Sequence, residues 1–394
     1  MAAPPPISPA VLIAGGLDAS GNYLTTAELY SVSAGTFSST GPMHSSHLYG
    51  TITALNDGTV LVAGGDDMNG STTAAEIYNP STGTWTTVGS LKVSRDLDTA
   101  VLLSSPNANI NGMVLVCGGT TYIASTDDET YLKTCEVYNP ATQKFTIVTK
   151  NMKDARAALT GNQLDDGTVL IAGGNENGNH GTAEIFTPAS SGPLAGTFAR
   201  TVGKMTDYRE FATSTNLNGL FDPHNGQVLI AGGDNGGVTG PLAVLATAER
   251  YDPTTGRFTA TVGNMNSPRE FDSANELPAV LYADQVLLAG GVDNTGNSVI
   301  TADLYSSSSD TFSLTAGDLS SCGLDSQAAV ALPFGTSATR QNVLLAGGED
   351  LRDGGTESKP VDTSLIYSYS STSFTPSGIM STVRNSPLGA PVNY

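Results

Sequence analysis

An all-β fold is what this 394-residue sequence predicts: seven four-stranded antiparallel units closed into a ring. Three observations carry that expectation. First, an apolar stretch ending in Gly-Gly recurs at 11–16, 60–65, 114–119, 169–174, 228–233, 286–291 and 343–348, as VLIAGG, VLVAGG, VLVCGG or VLLAGG. Second, each copy is followed by a second recurring strand, AELY, AEIY, CEVY, AEIF, AERY, ADLY or SLIY, and then by a strand with one aromatic. Third, glycine is abundant (45 residues) and charged residues make up only 14%, which suits short strands and turns rather than helices.

The elements of one unit follow in order. An apolar anchor comes first: Met43, Leu91, Met152, Met205, Met265, Leu319 or Met380. A first strand such as TITAL or TGNQL leads through a turn to the Gly-Gly strand. Four of these turns carry Asp-Gly or Asn-Gly, at 57–58, 111–112, 166–167 and 225–226, the signature of two-residue hairpins. A variable polar loop then leads to the third strand. The fourth strand carries Phe37, Trp85, Phe145, Phe198, Phe258, Phe312 or Phe374. The second glycines lie 49 to 59 residues apart. A lone sheet of this kind cannot bury both faces, but sheets stacked around an axis can, and that arrangement is a β-propeller. The first unit lacks an anchor and a first strand. Residues 380–394 supply both, so the two ends are expected to close one unit within a single domain spanning 1–394. Residues 1–10 form a Pro-rich lead. Pro387 and Pro391 work against the closing strand, since each removes a donor.

Gly-Gly after an apolar strand, then Glu-x-Tyr, then an aromatic, resembles the kelch repeat. The variant DGTVLVAGG…AEIYNPSTGTW is most similar to kelch repeats of the galactose oxidase-type propeller. The resemblance covers practically the whole chain and implies a fold rather than an activity. It also implies that residues at the start of the innermost strand reach the channel mouth and contact ligand. The copper-radical site of such oxidases is not expected here. The dipeptides after Arg are AL and EF rather than Tyr-His, and of the four histidines only His44 and His47 cluster, near Tyr49.

Four residues after each anchor stand His47, Arg95, Arg156, Arg209, Arg269, Gly323 and Arg384. Five of the ten arginines occupy this slot, so the slot selects Arg. Two readings explain it. Third strands carry Glu28, Glu76, Glu136, Glu184, Glu249 and Asp303, whereas the seventh unit has Ser364 together with Gly323. Acid and Arg vanish together, as expected of a buried pair whose half-loss would strand a charge. The other reading is a binding ring for a polar or anionic ligand. It would comprise His47, Tyr49, Arg95, Arg156, Arg209, Arg269 and Arg384, with Glu210, Phe211, Glu270 and Phe271 from the repeated REF, and Asp325. The readings are compatible, since Arg can be structural while its successors face ligand.

The expected function is a binding or scaffold propeller recognising a polar small molecule, glycan or protein loop at the mouth. The alternative is a lyase, hydrolase or isomerase in which Asp98, Glu210 and Asp272 work as acids and bases. No cofactor is expected. A metal on MHSSHLYG, or Ca²⁺ on loops such as GGDDMNGS, STDDET and GVDNTGN, is the lesser alternative.

Net charge is −20, which repels phosphate backbones and argues against a nucleic-acid partner. No apolar run is long enough to span a bilayer. The start, MAAPPPISPA, lacks the basic and apolar regions of a signal peptide. With few lysines and a Ser/Thr/Gly-rich composition, a secreted or cell-surface monomer is expected. Cys117 and Cys135 replace the usual Ala and are expected as small buried thiols, with a cross-strand disulfide as the alternative because their strands are neighbours. Cys322 stands apart.

Overall fold

The computed structural model describes residues 9–174, 181–219, 223–237, 241–277, 285–319, 325–332, 342–351 and 359–393. The lead 1–8, His180, Cys322 and Gly323 lie outside them. The described residues contain strands and no helix. Among the described residues there are eight four-stranded sheets, and seven of them carry one sequence repeat each. The eighth is built from Asp66–Asp67, Gly70–Ser71, Thr120–Ile123 and Asp128–Tyr131, which are loop excursions of the second and third repeats. Counted as sheets there are eight; counted as repeats there are seven.

Each repeat sheet is an antiparallel meander. In the second repeat the order is Thr51–Ala54, Val60–Ala63, Ala75–Asn79, Thr84–Thr87. Apolar alternation on the second strand sends Val60 and Val62 to one face and Leu61 and Ala63 to the other. Both faces are covered: Val60 and Val62 pack with Leu12 of the first repeat, and Leu61 and Ala63 pack with Val114 and Val116 of the third. Seven such apolar clusters exist, one for each interface between neighbouring repeats, including the interface of the seventh with the first. The innermost strands touch their neighbours in the same cyclic order. The third- and fourth-strand aromatics pair in register in each of the seven repeat sheets, with ring centroids 4.9 to 5.1 Å apart. The anchors from Met43 to Met380 are all buried.

The ends meet as the repeat count requires. Pro9–Ala14 pairs with Leu388–Asn393, the innermost strand of the first sheet. Pro391 is accepted there, opposite Val11, because the innermost strand is an edge with one unpaired side.

Two expectations need correction. The Asp-Gly turns are not two-residue hairpins. The Leu55 N–H donates to the Thr59 carbonyl and the Gly58 N–H to the Leu55 carbonyl, with Gly58 at φ +84°. That is a three-residue loop with a left-handed glycine. The Asp57 side chain caps it by accepting from the Thr59 N–H. The cysteines are not free thiols: Cys117 and Cys135 lie directly opposite in register and form a disulfide.

Candidate functional site

The Gly-Gly pair and the Arg slot form one repeated clamp. Arg209 is fully buried and its Nη1 donates to the carbonyls of Gly232 (2.8 Å) and Thr247 (2.9 Å). Its Nη2 donates to the Thr247 hydroxyl, and Nε and Nη2 both reach Glu249 Oε1 at 3.4 Å. Arg269 treats Gly290, Thr301 and Asp303 in the same way, with a 2.7 Å bond to the carboxylate. Arg95 pairs with Glu136, Arg156 with Glu184, and Arg384 with Glu28. The clamp also joins neighbours. The N–H of the second glycine donates to the Arg carbonyl of the next sheet, as Gly65 to Arg95 and Gly233 to Arg269. Both glycines have positive φ, and a Cβ on Gly64 would lie 2.6 Å from the Arg95 carbonyl, so no larger residue fits.

The guanidiniums of Arg95, Arg156, Arg209, Arg269 and Arg384 are therefore enclosed and committed within their own sheets. They are not presented to a ligand. His47 occupies the slot in the second repeat and is equally buried. Its Nδ1 faces the Gly64 carbonyl at 2.6 Å and its Nε2 faces Glu76 Oε1 at 3.4 Å. His44 Nδ1 reaches the other oxygen of Glu76 at 2.6 Å. The two histidines thus serve one carboxylate, whose acidity they strengthen: burial opposes, but the bonds from His47, His44 and Ser45 hold Glu76 down to about 2. Among the described residues no three His, Cys, Asp or Glu side chains are grouped to hold a metal.

What reaches the axis is the residue two positions beyond the slot, or three beyond Gly323 in the seventh repeat. Tyr49, Leu97, Ala158, Phe211, Phe271, Ser326 and Ser386 all have φ between +49° and +56°. This left-handed turn is costly for residues with a side chain, and here it repeats in every sheet. Backbone bonds between neighbours hold it: the Leu97 N–H donates to Tyr49, Ala158 to Leu97, Phe211 to Ala158, and Ser326 to Phe271. The turn aims the side chains at the mouth. Phe211 and Phe271 stack with centroids 4.2 Å apart. Tyr49, 40% exposed, and Phe271 border both of two hollows of about 210 and 250 Å³. Asp272 lines the first and Asp98 the second. Sequence reasoning named Tyr49, Phe211 and Phe271 but missed Leu97, Ala158, Ser326 and Ser386. An offset of two from the slot was the available signal for Leu97, Ala158 and Ser386; in the seventh repeat the offset from Gly323 to Ser326 is three.

Carboxylates surround this floor. The residue before the left-handed one bridges to the residue after Gly-Gly, so Glu210 meets Asp234 and Asp325 meets Glu349. Asp66 and Asp96 approach across two sheets, as do Asp234 and Glu270. Burial and mutual repulsion push Asp66 and Glu210 up to about 7, and Glu270 up to about 8. Burial, then Glu349, pushes Asp325 up to about 7. Asp98 and Asp272 are raised to about 8 and about 7 by burial, against a smaller lowering from Arg95 and Arg269. All four of their carboxylate oxygens are buried without a hydrogen-bond partner. The mouth is therefore acidic and aromatic, not the mixed Arg–acid ring expected for an anion.

Comparison with known proteins agrees with this architecture. The Kelch motif family matches residues 53–92 and 106–152. No curated protein matches the chain. Among solved structures, the one titled "Structure of YjhT" superposes with a TM-score of 0.55 at 13% identity, covering 79% of this chain and 98% of that one. At that identity the likeness speaks for the fold alone.

Proposed function

We propose that this kelch-repeat β-propeller is a binding module that takes a polar small molecule, glycan or protein loop at its axial mouth. One observation carries the reading: seven strained left-handed turns are spent on aiming Tyr49, Phe211 and Phe271 at two hollows on the axis. Aromatic walls with a few convergent polar groups are how small-ligand pockets are lined. The committed arginines argue against an anionic ligand, one of the two kinds, polar or anionic, for which the Arg slot was read as a binding ring. A mixed screen of sugars, amines and organic acids by thermal shift tests the reading. The expected hit raises the melting temperature of the parent and not of Phe211→Ala/Phe271→Ala. A hit that stabilises both proteins equally overturns it.

An acid–base enzyme is the second reading, favoured by the unpartnered Asp98 and Asp272. It predicts turnover lost in Asp98→Asn or Asp272→Asn. The buried Cys117–Cys135 disulfide supports a secreted or cell-surface location, where such bonds persist. A monomer remains part of the proposal.

A further inference from the structure

We propose that the ligand of the axial mouth is an organic cation, an amine or guanidinium, seated on the Tyr49–Phe211–Phe271 floor and neutralised by Asp98 and Asp272. This deepens the binding reading and rests on it. The argument begins with unmet demand. Asp98 and Asp272 each border one hollow, and none of their carboxylate oxygens has a partner in the protein. A buried carboxylate without a partner is costly, and a cation relieves that cost directly.

The protein's own cations offset that cost only in part, since burial outweighs their effect. Arg95 is the basic group beside Asp98, but its two Nη groups go to Gly118, Thr134 and Glu136, which leaves Nε alone without a partner. Arg269 stands beside Asp272, and its two Nη groups go to Gly290, Thr301 and Asp303, which again leaves Nε alone without a partner. The other charged neighbours are Asp96 and Glu136 for Asp98, and Asp303 for Asp272, all acidic. An incoming anion would meet these acids and the rim carboxylates together. A neutral sugar would find acceptors but would leave the charge uncompensated. A flat or compact cation satisfies both surfaces, since aromatic faces attract positive charge.

The same acids give the site a titration. Burial holds Asp98 near 8 and Asp272 near 7, so around neutrality both are largely protonated without ligand. Cation binding must then expel protons, and affinity must rise with pH through that range.

The test is calorimetry on the intact chain at about pH 6 and about pH 8.5, values that bracket these groups. The probes are agmatine, an arginine-containing tripeptide, its citrulline counterpart, galactose and citrate. The expected result is binding of the two guanidinium probes, about tenfold tighter at the higher pH. Proton release should be visible as a dependence on buffer ionisation enthalpy. Asp98→Asn/Asp272→Asn should weaken that pH dependence, leaving only what the rim carboxylates Asp66, Glu210, Glu270 and Asp325 contribute, while keeping the parent's circular dichroism. A preference for agmatine marks a free small molecule, and a preference for the tripeptide marks a side chain; both support the proposal. Galactose or citrate binding that Phe211→Ala/Phe271→Ala abolishes would overturn the cation while leaving the binding module standing. No binding by any probe, or binding indifferent to both pairs of substitutions, overturns both.

Discussion

Arg384 Nη2 lies 3.3 Å from Glu28 Oε1, joining residues 356 positions apart in a single buried ion pair. The other nitrogen, Nη1, donates to the carbonyls of Gly15 and Thr26. One guanidinium therefore ties the last strand to the second and third strands of the first sheet. The clamp that stabilises the third to sixth repeats locally is, in this one place, the closure of the ring.

Arg384→Ala should accordingly cost about 3–5 kcal/mol, the range for breaking a buried pair. Removing residues 380–394 should cost more, because it uncovers the Pro9–Ala14 edge and opens two interfaces at once. Thermal melting with light scattering checks both: a steep fall with aggregation is expected, and a truncated protein melting like the parent would refute closure through this strand.

Arg269→Met should lower the melting temperature strongly, since it strands Asp303 at zero exposure. Asp303→Asn in the same chain removes the stranded charge while keeping an acceptor for the Asn266 amide. Recovery of at least half of the loss, roughly 2 kcal/mol, is expected of the double variant. Additive losses would show that the pair is not what the arginine serves.

The raised acids make stability fall with pH. In the unfolded chain Asp98 and Asp272 titrate near 4, whereas in the folded state they hold protons to about 8 and about 7. Their contribution is fully present below the unfolded value and is lost as pH rises through the folded values. Melting temperature should decline between about pH 4 and pH 8, the span these values set. Asp98→Asn and Asp272→Asn should melt like the parent at the acid end and above it at the alkaline end. Equal melting of parent and variants at every pH would contradict the burial of these groups.

Loss of the Cys117–Cys135 bond should be felt across the third sheet. The two residues are 18 apart in sequence, and closing a loop of that size contributes on the order of 3 kcal/mol by restricting the unfolded chain. Denaturant unfolding of Cys117→Ala/Cys135→Ala, against the oxidised parent, measures it. The six other repeats carry no such bond among the described residues, so the ring itself should persist.

The repeat, its strand order, the aromatic pairs and the meeting of the two ends were legible in the sequence. Each depends on local periodicity or on counting, and a unit with two apolar faces admits few arrangements other than stacking. The arginine–acid pairing was legible too, through the joint absence of both partners where Gly323 and Ser364 stand. The electrostatic character of the mouth was not. A list of residues places Arg95 and Asp98, or Arg269 and Asp272, three positions apart and suggests a mixed-charge site. Only the left-handed turn at Leu97 and Phe271 sends the guanidinium back into its own sheet and the aromatic toward the axis, leaving the aspartate unpartnered beside a hollow. That turn is held by backbone bonds from neighbouring sheets, as Leu97 to Tyr49 and Ala158 to Leu97. Tertiary packing, not local preference, stabilises a conformation that Leu, Phe and Tyr rarely adopt, and so the chemistry of the mouth was decided only when the ring closed.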